Sequence, residues 1–303
     1  MKFFCDNTSW YKANLHAHTT VSDGRKSPEE TEKLFREKGY QILAFSDHWK
    51  VSPAKVEKEF ILLSAAELDT YYGDNKECFH IIGLNLPEGT TFPNPNKTVH
   101  PQKLIDRIEE LGGSAFLAHP QWSLNQPEDI AALRNIFAVE VFNTTSGLPH
   151  NPDRADSSDL LDLVARKGYL IPQIATDDCH WYDGDECKSF TMIQTEDFSV
   201  EGIVKALRNG KFYASQGPLV KQVAVEDGRV TVTCSACVSA VFFSNSPWVS
   251  KRAEFSPEGA TEYTYEIAKG DCFVRIELTD KDGNKAWISP FPVNDAINRF
   301  GQK

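Results

Sequence analysis

The sequence predicts an α/β fold in two parts, a barrel of strands alternating with helices followed by a small all-β sandwich. Three observations carry that expectation. Up to about residue 210, short apolar runs alternate with amphipathic stretches that close on glycine. From about Leu219 the pattern turns to alternating strands without a helical period. The junction, GKFYASQGPL, has no Ser/Gly-rich or charged linker, which points to packed neighbours and not to tethered units.

The expected strands of the first part, residues 1–218, are Ala13–Leu15, Ile42–Ser46, Phe60–Ala66, Phe79–Leu84, Ala115–Ala118, Val139–Phe142 and Leu170–Thr176. Between them lie four helical runs. PEETEKLFREKG has Ser27 to cap it and Pro28 in its first turn. PQKLIDRIEELGG closes on Gly112, SSDLLDLVARKG on Gly168 and SVEGIVKALRNG on Gly210, as a left-handed C-terminal cap prefers. Strands joined by helices are parallel, and this many of them suggest a barrel. In residues 219–303 the runs VKQVAVEDGRVTVTCS, AVFFSNS, YTYEIA and CFVRIELTDKDGNKAWISPF are punctuated by DG and DGN, which are hairpin turns. This stretch reads as a small sandwich.

Composition narrows the function classes. With 41% hydrophobic and 25% charged residues, the 303-residue chain is an ordinary soluble globular type. The opening MKFFCDNTSWYKAN has no apolar run or cleavage site of a secretory signal, and no stretch is long enough to span a bilayer. Seven cysteines in no regular framework suggest reduced thiols and a cytoplasmic setting. Cys234 and Cys237 lie in a strand-like run with no second pair to complete a zinc site, so they are read as structural. Asn7, Asn96 and Asn143 sit in glycosylation-type sequons that mean little in a chain that is not exported. A net charge of −11 argues against a general nucleic-acid surface. A phosphorylated substrate stays possible, because bound cations can supply positive charge.

The metal-capable residues fall at strand ends. His16 and His18 follow the first strand, with Asp23 just beyond, and Asp47 and His48 follow the second. Glu67 ends the third, His80 begins the fourth, His119 ends the fifth, and Asp178 and His180 end the seventh. That is the face on which barrels build active sites. In H-x-H on extended backbone both imidazoles project to one side and can reach one cation, and D-x-H does the same with one oxygen ligand. Six of the eight histidines belong to this set; His100 and His150 are read as ordinary hydrogen-bonded residues.

These motifs (HAH with SDG, SDH, a lone Glu67, HIIGL, AHP and DDCH, in order over Asn14–Trp181) resemble the PHP (polymerase and histidinol phosphatase) superfamily, in the branch with a C-terminal β-sandwich. The resemblance implies a distorted (β/α)7 barrel and three metal positions. The first would use His16, His18, Glu67 and Asp178. The second would use Glu67, His80 and His119. Asp23, His48 and His180 would hold a third, although SDG is also a common turn sequence. Asp177 is read as a neighbour of the ligand Asp178, and Asp47 either as the partner of an imidazole or as a helix or turn cap. Glu140 either enters the site or forms a salt bridge in the barrel mouth. Arg154 is the candidate phosphate-binding residue. Trp49, Trp122 and Trp181, each close to a ligand motif, either wall the pocket or simply pack.

The expected activity is metal-dependent hydrolysis of a small phosphate ester, with Glu67, Asp178 and His180 as candidate catalytic groups. A hydroxide held between two cations that share Glu67 would be the nucleophile. Nitrogen and oxygen ligands without thiolate suit two to three Zn, Mn or Fe ions. The rivals are carboxylic or carbamate ester hydrolysis by the same site, and a non-enzymatic binding module. No membrane contact is expected.

Overall fold

The computed structural model describes Phe4 and residues 8–92 and 97–293. The elements of the first part, in chain order, are β1 (Trp10–Asn14), α1 (Pro28–Glu37), β2 (Ile42–Phe45), β3 (Lys55–Glu57), β4 (Phe60–Tyr72), β5 (Glu77–Leu84), α2 (Pro101–Glu110), β6 (Ser114–Leu117), α3 (Pro127–Ala132), β7 (Ile136–Asn143), α4 (Ser158–Arg166), β8 (Gln173–Thr176), β9 (Phe190–Gln194), α5 (Val200–Arg208) and β10 (Phe212–Ser215). The second part adds β11 (Val220–Glu226), β12 (Arg229–Phe243), β13 (Ala253–Glu266), β14 (Phe273–Thr279) and β15 (Lys285–Pro292). Helix α1 starts as its sequence dictates: Ser27 and Glu30 cap each other's backbone N–H groups.

Strands β1, β2, β4, β5, β6, β7 and β8 neighbour one another in that order and match the seven expected runs. The two ends of this series meet. Ala17 and Cys179 form a parallel bridge, His18 N donates to Cys179 O at 3.1 Å, and Asp178 N donates to His16 O at 2.9 Å. Regular strand–helix alternation does not hold, however. β5 runs antiparallel to both β4 and β6, and no helix separates β2, β4 and β5. β4 is the reason: its first half pairs in parallel with β2, and its second half folds back on β5 as a hairpin. A crossover helix needs a parallel partner, and a hairpin has no place for one.

All strands of the second part are antiparallel, as their alternation predicts, and Asp227 and Gly228, both at positive φ, form the β11–β12 turn. The second part is continuous with the first, as the short junction led one to expect. β15 pairs with β10, so one hydrogen-bonded path runs from β11 through β10, β9 and β1 into the barrel. The core of this region, around Val232, Cys234, Cys237, Phe242 and Ile276, also takes in Phe4 and Tyr213 from the first part. In return Trp287, fully buried, joins the barrel's core and stacks on Phe142 at 5.4 Å. Arg275, also buried, grips Asp162 of α4 through two bonds of 2.7 and 2.8 Å. Cys234 and Cys237 are packing residues, and the six described cysteines are free. Among the described residues no helix is long and apolar enough to cross a membrane.

Candidate metal centre

The closing bridge keeps the chain extended past β1, so His16 and His18 face the same way. His48 forms a parallel bridge with Glu67, which lies within β4 and not at its end, since that strand runs five residues further. His80 stands in the first half of β5; because β5 is antiparallel, its start lies at the barrel end where the other strands finish. His119 and Asp178 both adopt left-handed backbone, at φ 26° and 54°. Such conformations cost about 1–3 kcal/mol each and gather where function requires them.

The donor atoms converge in three groups: His16, His18, Glu67 and Asp178; Glu67, His80 and His119; and His18, Asp23, His48 and His180. In the first, His16 Nε2 and His18 Nε2 lie 3.2 Å apart. Each also lies within 2.9–3.3 Å of Glu67 Oε2 and Asp178 Oδ1. Four donors at such spacing match the shell of a tetrahedral cation, whose ligands stand about 3.4 Å apart. Glu67 spans two groups, with Oε2 in the first and Oε1 at 2.6 Å from His80 Nδ1 and 3.5 Å from His119 Nε2. Asp23 holds the third group more loosely, at 3.4 Å from His18 and 3.6 Å from both His48 and His180. His80 Nε2 is buried without a hydrogen-bond partner, and Asp178 Oδ1 meets only the ligand nitrogens around it. Orphaned atoms aimed into a cluster of nitrogen and oxygen donors fit divalent cations.

The electrostatics say the same. Burial opposes charge on His16 and His18, but Asp178, Glu67 and their neighbours outweigh it and hold both imidazoles well above the ordinary histidine pKa. His80, buried but beside Glu67, is pushed up to about 10. Burial would raise the Glu67 and Asp178 carboxyls, yet the histidines hold both well below the carboxylate range. Without metal, protons occupy the places that cations would take.

Partners outside the clusters fix the rings. Glu140 Oε1 lies 2.9 Å from His16 Nδ1, while Glu140 Oε2 accepts from His119 N and from Asn143 Nδ2, both at 2.8 Å. Asn143 Nδ2 also reaches Asp178 Oδ2 at 3.2 Å. Asp69, two residues along β4 from Glu67, lies 3.2 Å from His48 Nδ1 and accepts from Trp49 Nε1 at 2.7 Å. Ser22 and Ser123 stand 3.4 and 3.1 Å from His18 and His119. A carboxylate or hydroxyl behind an imidazole fixes its tautomer and aim.

No family profile matches the chain. An uncharacterized protein of Methanocaldococcus jannaschii, MJ1587, is 32% identical over 126 residues, covering 36% of this chain and 67% of that protein. Among solved structures, a two-domain protein from Bacteroides vulgatus, described as containing a predicted PHP-like metal-dependent phosphoesterase, aligns over 94% of this chain and 96% of its own. Its TM-score is 0.51 at 18% identity, a likeness of fold. An amidohydrolase from Chromobacterium violaceum, with sulfate bound and no metal, aligns over 57% of this chain and 89% of its own at TM-score 0.37 and 14% identity. The fold match spans both parts of the molecule, and the ordered motifs converge on one face. The chain shares the fold of that two-domain, PHP-like protein.

Members of all three ligand groups floor a cavity of about 370 Å³. Trp122 and Trp181 line it, while Trp49 instead packs against the core and bonds Asp69. Arg154 does not line the cavity: its loop is tied back by Arg154 N donating to Ser146 O, and the arginine among the described lining residues is Arg25. Asp47 is not an imidazole's partner. It accepts from the backbone and hydroxyls of Thr19 and Ser22, capping the turn that carries His18 and Asp23. Asp177 touches no ligand ring; it gathers the N–H groups of Cys187, Lys188 and Ser189, and burial pushes its carboxyl up to about 7. Asp185, unremarked in the sequence, does the same for His180, Trp181 and Tyr182. His100 caps α2, and His150 stacks on Trp181. Asn143 is buried at the centre; Asn7 and Asn96 lie outside the described residues.

The SDG turn has no spare room. A Cβ on Gly24 would meet His18 O at 2.3 Å and Thr19 N at 2.7 Å, both backbone atoms. Gly24→Ala should therefore displace the loop bearing Asp23 and His18, lowering both the metal content and the unfolding midpoint. An unchanged metal ratio and midpoint would contradict this packing.

Proposed function

We propose that this protein is a member of the PHP superfamily and a divalent-metal-dependent hydrolase of small phosphate esters. One observation carries the reading: three chelating groups, joined through Glu67 and His18, floor a single cavity. Two or three Zn, Mn or Fe ions there would supply Lewis acidity and a water of lowered pKa. The chain's residues do the rest. Glu67 and Asp178, held ionised by the surrounding histidines, present carboxylate oxygens to the cations. Glu140 and Asn143 hold His16 and Asp178 in place. Arg25 lines the cavity, and a guanidinium is suited to a phosphoryl oxygen. His180, bonded through Nδ1 to Asp178 O at 2.7 Å, is the third candidate catalytic group with Glu67 and Asp178.

We read residues 1–218 as the metal-carrying unit and 219–303 as its brace, working in the cytoplasm on a small molecule without a nucleic-acid or membrane partner. The test is a panel of phosphate monoesters, phosphodiesters, aryl esters and carbamates, assayed after loading with Mn²⁺ or Zn²⁺. Turnover of phosphate esters supports the proposal. Turnover confined to carboxylic or carbamate esters would replace it, and none at all would leave a binding module.

Asp23 serves only the third group and is about half exposed. Asp23→Ala should cost at most one cation per chain, with metal affinity reduced roughly 10- to 100-fold, the scale of a single supporting contact. Measurable turnover should persist. A variant as inactive as one lacking the Glu67 charge would overturn the ranking of the three groups.

A further inference from the structure

We infer that Lys285 and Trp287 of β15 are positioning residues for the cavity, holding from behind the loop between β7 and α4 that forms one of its walls. As a statement about turnover this rests on the hydrolase reading above. Strand alternation sends the side chains of β15 to two sides. Ala286 and Ile288 enter the core of the second part. Lys285, Trp287 and Ser289 turn to the barrel instead. Lys285 Nζ lies 3.4 Å from Asp156 Oδ2, Trp287 stacks on Phe142 at 5.4 Å, and Ser289 Oγ accepts from Gln173 N at 2.8 Å. Glu277 of the neighbouring β14 steadies the ammonium at 2.9 Å.

Two of these contacts fall on the two feet of a single loop. Phe142 and Asp156 form an antiparallel bridge, Asn143 N donates to Ala155 O at 3.1 Å, and Ser157 N donates to Val141 O at 2.8 Å. The loop is thus closed at its base, and β15 holds that base at its entry and its exit. What the loop carries faces the cavity: Thr145, Ser146 and Asn151 line it. Asn151 Oδ1 accepts from Trp122 Nε1 at 2.9 Å, and the His150 ring lies parallel to Trp181 at 4.4 Å, so the same loop fixes both indoles of the wall. Residues 144–157 belong to none of the three ligand groups. A shift at the base would therefore move the wall and leave the metal ligands in place. Misplacing groups that position a substrate by about 1 Å is costly.

The full-length protein, loaded with Mn²⁺, would be compared with its Lys285→Met, Lys285→Arg, Asp156→Asn and Trp287→Leu variants. The readouts are amide hydrogen exchange and steady-state kinetics on 4-nitrophenyl phosphate and 4-nitrophenyl acetate. In Lys285→Met the amides of 144–157 should exchange about threefold faster, and KM should rise by a similar factor, the scale of one exposed ion pair. Trp287→Leu should exceed both effects. In each variant kcat, metal content and the exchange of β1 and β2 should stay at the parent's values, and Lys285→Arg should restore loop and KM together. Asp156→Asn keeps the Oδ1 that accepts from Ser158 N at 2.9 Å, so it should match Lys285→Met, and the double variant should be no worse than either. Should Trp287→Leu fail to fold, Lys285→Met and Asp156→Asn, both at the surface, decide the question. Unchanged loop exchange, an unchanged KM, or a loss of metal or kcat in place of the KM effect would overturn the inference. Exchange needs no substrate, so it judges the loop even where neither ester is cleaved. Cleavage of the acetate alone would overturn the phosphoesterase reading and move the KM comparison to that ester.

Discussion

Glu67→Gln is expected to remove hydrolysis while the chain stays folded. Glu67 joins two ligand groups through its two oxygens, and it lies within 3.5 Å of His16, His18, His48, His80 and His119. The amide fills the same space but brings no charge and turns a donor toward histidine nitrogens. Both groups it serves should lose their cation, and kcat/KM should fall by more than about 10³, equivalent to about 4 kcal/mol of transition-state stabilisation. Circular dichroism and the unfolding midpoint would show whether the fold survives; metal analysis would show the lost ions. Turnover near that of the parent would mean that Glu67 bridges nothing.

Truncation after Pro218 is the second large effect expected. The cut leaves β10 without its partner β15 and bares Tyr213 and Phe4. It also takes Trp287 out of the barrel's core and Arg275 away from Asp162. Residues 219–293 supply no member of the three ligand groups, so whatever folds should bind cations in a comparable ratio. It should unfold at lower temperature or aggregate through the uncovered apolar surface. Trp287→Ala isolates one part of the effect and should cost about 3–5 kcal/mol by the cavity it leaves. A truncated barrel as stable as the full chain, or one that folds but loses its metals, would refute this account of the second part.

What the sequence made legible follows from the range of each signal. His16, His18, His48, His119, Asp178 and His180 could be found because each sits one to four residues past an apolar run, and extended backbone then fixes where it points. Asp69 has the same i, i+2 relation to Glu67 and was open to the same reasoning. Glu140 and Asn143 lie in VEVFN, but their role depends on which strand lies beside β7, and local sequence does not encode that. Asp47 and Asp177 went to turns because a carboxylate beside several free N–H groups caps them before it reaches a ring. Arg154 and Arg25 both lie on loops, whose direction no periodicity sets. In the fold, the β4–β5 hairpin hid inside two ordinary apolar runs. The β10–β15 pairing, across about 70 residues, left no local trace. Helix α3, six residues long, was too short to show a period.

The central claim, that Glu67 and its neighbours form one multinuclear metal centre, is tested most directly by counting metal. Elemental analysis of the purified full-length chain, before and after reconstitution with Mn²⁺ or Zn²⁺, should find at least two divalent ions per chain. Less than one per chain after reconstitution would contradict it.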